Sequence, residues 1–68
     1  MPIHPEVAAL IAERQRLGIS QAALARAAKI NRVTMWRLET GQFLPSLRTL
    51  DRLRAALREF AASAAPAA

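Results

Sequence analysis

The chain predicts an all-α domain of four to five helices, and three observations carry that expectation. Apolar residues recur at spacings of three and four along most of its 68 residues. Each such stretch opens on a proline or a capping Ser or Asn and closes on a glycine or a polar break. No segment reads as a strand, a repeat or a glycine-rich phosphate loop.

The elements follow in order. Pro5 suits the first position of a helix, where its missing N–H would be unpaired anyway, and the first helix is expected over residues 5–17. Val7, Leu10, Ile11, Arg14 and Leu17 share one face of it, and Gly18 is its C-cap. Ser20 caps a second helix over 21–28, with Ile19 and Leu24 placed to meet across its start. Ala23, Ala25, Ala27 and Ala28 keep that helix thin and permit a close crossing. Asn31 caps a third helix over 32–40 that ends at Gly41 and turns Met35 and Leu38 inward. After a loop over 42–45, Ser46 caps a last helix reaching about residue 62, with Leu47, Leu50, Leu53, Leu57 and Phe60 along one stripe. Leu47, Leu50 and Leu53 are expected in the core. Residues 63–68 are small with one proline and are expected to be a disordered tail, so the domain spans 1–62.

Composition bounds the function. A chain of this length supports one domain with one small core. With no cysteine there is neither a disulfide nor a thiolate metal site, so helix packing, aided by oligomerisation, must close the core. Ten Lys and Arg against five acids give a formal charge of +5, and nine of the ten cations are Arg, the better fork for phosphate and guanine. A polyanionic partner and a cytoplasmic setting are expected, with no membrane insertion or export. His4 has no companions at ligand spacing, and no Ser or Thr has a neighbouring histidine base. Glu6, Glu13, Asp51 and Glu59 read as helix-surface charges. Neither an enzyme, a metal site nor a cofactor is expected.

Residues 21–40, QAALARAAKINRVTMWRLET, place two short helices around a polar break at 29–31, the spacing of a helix-turn-helix. In that motif the second helix enters the DNA major groove and its front half faces base edges, while the first lies across the backbone.

Over roughly residues 7–57 the chain resembles the lambda-repressor-like family, the Cro and phage-repressor type. The resemblance rests on Arg14, the Gly18-Ile19-Ser20-Gln21 entry, Leu24-Ala25, Met35, Leu38-Glu39, Gly41 and the Pro45-Ser46-Leu47 exit. It implies an ion pair between Arg14 and Glu39 that ties the first helix to the third. An unpaired guanidinium on the apolar face would be costly, which argues for the same pairing. By position the resemblance assigns base reading to Arg32, Val33, Trp36 and Arg37. Either arginine can instead contact phosphate, and Trp36 can instead touch sugar or a dimer interface. The chain departs from the family's pattern in two places. Lys29 stands where the turn usually has a glycine in left-handed conformation, at a cost of roughly 1 kcal/mol. Residues 47–62 lack the break that commonly starts a fifth helix.

Gln21, Asn31, Thr34, Gln42 and Arg48 are the candidate phosphate donors, with Asn31 and Ser20 also serving as caps. Arg52, Arg54 and Arg58 form either a solvated face or part of the DNA surface. Leu57 and Phe60 lie beyond what three short helices are expected to cover and are candidates for a homodimer interface, unless an N-terminal arm including Ile3 folds over them. The expected protein is a regulator, in the first instance a repressor, that binds double-stranded DNA at a palindromic operator as a homodimer. The competing readings are an antitoxin or other interaction module using its C-terminal helix, and a sequence-tolerant architectural DNA binder.

Overall fold

The computed structural model describes residues 3–42 and 44–64. Four helices follow one another: α1 (Pro5–Arg16), α2 (Gln21–Ala28), α3 (Arg32–Glu39) and α4 (Leu47–Ala64). Their starts are set by side chains. Ser20 Oγ accepts the Ala23 N–H at 3.0 Å, Asn31 Oδ1 accepts the Val33 N–H at 2.7 Å, and Ser46 Oγ accepts the Thr49 N–H at 3.1 Å. α1 has a cap that the sequence did not suggest: His4 Nδ1 accepts the Glu6 N–H at 3.2 Å.

The first three helices end in the same way. At each end a left-handed residue donates its N–H to the carbonyl three back, and the next residue donates to the carbonyl five back: Gly18 to Gln15 and Ile19 to Arg14, Lys29 to Arg26 and Ile30 to Ala25, Gly41 to Leu38 and Gln42 to Arg37. The φ values at the turning residues are 71° for Gly18, 59° for Lys29 and 76° for Gly41. This double closure satisfies carbonyls that a helix end leaves open, and it explains why Lys29 accepts a conformation that a Cβ disfavours.

α2 packs on α3 and α4, and α1 also packs on both. Val7, Leu10, Leu24, Ala25, Ala28, Met35, Leu38, Leu50, Leu53, Ala56 and Leu57 form the core, with Ile11, Leu17, Ile19, Ile30 and Phe60 packed around it. Ala25 and Ala28 of α2 are buried within that core.

Three expectations are corrected. Leu47 is 76% exposed. It is the first residue of α4 and lies at the edge of the Leu50, Leu53, Leu57 stripe, ahead of the point where α1 and α2 flank the helix. Leu57 is 4% exposed and therefore belongs to the core, not to an open dimer face. α4 runs unbroken for 18 residues, about 27 Å, and packs against both α1 and α2; Leu57 lies in the core and Phe60 packs around it. Ser63 and Ala64, assigned to the tail, continue α4; the rest of that tail lies outside the described residues. Among the described residues no helix is long and apolar enough to cross a membrane.

Candidate nucleic-acid interface

α3 divides cleanly. Met35 and Leu38, each 1% exposed, face the core, and Thr34 and Glu39 flank them half-buried. The opposite side carries Arg32, Val33, Trp36 and Arg37, all exposed, with Val33 at 55% and Trp36 at 49%. Residues four apart on a helix are neighbours, so Val33 and Arg37 stand side by side, as do Arg32 and Trp36. Among the described residues neither Arg32 nor Arg37 makes an ion pair within the chain. Two guanidinium forks and two apolar surfaces thus stand free on one helix face, the groups that read guanine edges and thymine methyls.

A part-buried polar network sets where that face points. Arg14 donates from Nε to Glu39 Oε2 and from Nη2 to Glu39 Oε1, each at 2.9 Å, and from Nη1 to the Ile19 carbonyl at 2.8 Å. Gln21 Nε2 adds a bond to Glu39 Oε1 at 3.0 Å. The two charged side chains are only 12% and 6% exposed, and no buried side-chain polar atom among the described residues lacks a partner. One carboxylate therefore joins the end of α1, the start of α2 and the end of α3. The sequence suggested the Arg14 and Glu39 positions but not the bond from Gln21. That bond commits one of the two amide protons of Gln21 and holds the N-terminus of α2 against α3, leaving the second proton and the first backbone N–H groups of α2 for an anion.

The other phosphate candidates are arranged around this corner to different degrees. Asn31 spends its carbonyl oxygen on the cap and presents its exposed amide. Gln42 Nε2 donates to Thr40 Oγ1 at 3.0 Å, and Thr40 Oγ1 donates back to the Trp36 carbonyl at 2.9 Å, so the residue after α3 is tied to its last turn. Thr34 is half-buried, and Arg48 is exposed on the first turn of α4. Leu57 and Phe60 are not brought to this face. The feature that the sequence missed is the exposure of Leu44 and Leu47, three-quarters exposed on the segment after α3.

Two short helices crossing closely through alanines, with a free arginine-rich face on the second and a capped N-terminus on the first, define a helix-turn-helix unit. A family model described as a helix-turn-helix domain matches residues 7–62, and the chain belongs to that family. The matched span takes in all of α2 and α3 and most of α1 and α4. Membership makes the chain a DNA-binding regulator in the broad sense. No curated protein and no solved structure matches it.

Proposed function

We propose that this protein is a sequence-specific transcriptional repressor that binds a palindromic operator as a homodimer. The observation that carries the reading is the outer face of α3, where Arg32, Val33, Trp36 and Arg37 are exposed together while the same helix is anchored by Met35 and Leu38. Arg37 and Arg32 each offer the two-pronged bond to guanine O6 and N7, and Val33 the apolar contact to a thymine methyl; each good base contact adds about 1–3 kcal/mol of discrimination. The N-terminus of α2 and the amides of Gln21, Asn31 and Gln42 supply phosphate contacts that hold the register. Repression is the simplest consequence of such binding, since a domain seated on promoter DNA occupies the site that polymerase needs. The sequence argument for the homodimer drew on an open Leu57 and Phe60 stripe, and the fold uses Leu57 inside the monomer, so a dimer needs another surface.

The test is selection of bound duplexes from a random library at near-physiological salt, followed by affinity measurements with Arg37→Ala. The expected result is an inverted repeat with half-sites about 34 Å apart and a loss of preference at one base pair per half-site in the variant. Equal affinity for all duplexes, or an Arg37→Ala protein with intact preference, refutes it.

A further inference from the structure

Leu44 and Leu47 are 75% and 76% exposed, the two most exposed large apolar side chains among the described residues. They flank Pro45 on the loop that leaves the recognition face and on the first turn of α4. The fold does not use them, since the core is closed by Leu50, Leu53 and Leu57 further along the same helix. Beside this apolar pair lie two charges of opposite sign. Arg48 is exposed and makes no ion pair within the chain among the described residues. The Asp51 side chain is 76% exposed, and its contact with Arg54 is loose, at 3.7 Å, because Arg54 lies closer to Glu6, at 3.2 Å. Arg48 and Asp51 are three residues apart and so share one side of α4, next to Leu47.

We propose that this surface binds a second copy of the same chain. A two-fold contact requires a patch that complements itself, and this one does. Laying the first two turns of α4 antiparallel across a two-fold axis sets Arg48 of each copy against Asp51 of the other. With the axis midway between residues 48 and 51, the two Leu47 side chains lie on either side of it, about 7–8 Å apart along the helix direction and each against the other helix, with Leu44 at the rim. A patch of one charge sign would repel its own image; an apolar centre with one Arg and one Asp on its flank does not. The inference rests on the homodimer proposed above and names the surface that makes it. It also sets the contact on the segment that follows α3 in the chain.

The test uses the whole chain in multi-angle light scattering over a concentration series without DNA, alongside binding to duplexes carrying one or two half-sites. Leu47→Glu touches no core contact and puts an acid in the first turn of a helix, where it is well tolerated, so helicity and melting temperature should hold. It is expected to weaken self-association about a hundredfold or more. Arg48→Asp and Asp51→Arg should each weaken the dimer, and the double exchange should restore it. A wild-type dimer that persists in Leu47→Glu and in both charge variants overturns this surface while the homodimer stands. A wild-type chain that is monomeric throughout, and also on a two-half-site duplex, overturns both. Binding to the single half-site by Leu47→Glu, which keeps Arg48 and its candidate phosphate contact, reports separately on the DNA reading.

Discussion

The Arg14, Glu39 and Gln21 network gives a prediction whose size follows from its burial. Arg14→Met leaves the Glu39 carboxylate, 6% exposed, with only the Gln21 amide as partner, and Glu39→Met leaves the Arg14 guanidinium, 12% exposed, with only the Ile19 carbonyl. Removing one member of a buried pair costs about 3–5 kcal/mol, chiefly because the survivor stays charged and desolvated. The residual exposure of Arg14 puts the expected loss near the lower bound, about 3 kcal/mol for either variant. A domain of this size has a total stability of only about 3–10 kcal/mol. The loss therefore corresponds to a drop in melting temperature of roughly 12–24 °C. Replacing both charges, Arg14→Met with Glu39→Met, removes the pair and its desolvation together. Most of the stability should return, short of the bonds lost to the Ile19 carbonyl and from the Gln21 amide. Thermal and urea denaturation followed by far-UV circular dichroism measures all three variants. Single losses under about 0.5 kcal/mol, as for a surface pair, or a double variant as unstable as the two losses summed, would refute the reasoning.

Two further predictions address the turn and the surface. Lys29→Gly removes a Cβ from a left-handed residue at φ 59° and should stabilise the protein by about 0.5–1 kcal/mol, read as a rise in urea midpoint; Lys29→Val should lower it. The Glu13 carboxyl is held below its ordinary value by the hydrogen bond from Arg16 and then by that residue's charge. Its folded pKa is depressed, so the pair's contribution is present above the usual carboxylate range and is lost as pH falls through the lowered value. Because both groups are open to water the effect is small: Glu13→Gln should lower the neutral-pH midpoint slightly and leave the low-pH midpoint unchanged, so that the decline on the acid side is shallower.

What the sequence made legible is what local chemistry decides. Caps at Ser20, Asn31 and Ser46, stops at Gly18 and Gly41, and the periodicity of each helix depend on residues within one or two turns, and they placed the four helices to within about two residues. Lys29 was legible only by comparison with a family pattern, since a lysine gives no sign of a left-handed turn; its conformation is imposed by the same pair of closing bonds that glycine makes at the other two stops. The errors lie where packing between distant elements decides. Leu47 and Leu57 occupy equivalent-looking places on one apolar stripe, yet the fold buries the distal one and leaves the proximal one bare. Periodicity gives the direction of a stripe but not how far along it the neighbours reach. This inversion matters for function, because it moves the free apolar surface from the far end of α4 to the turn beside α3. In the homodimer proposed above, a contact there would set the spacing of the two α3 helices through the short segment that follows α3, whereas one at the far end would act through the full length of α4.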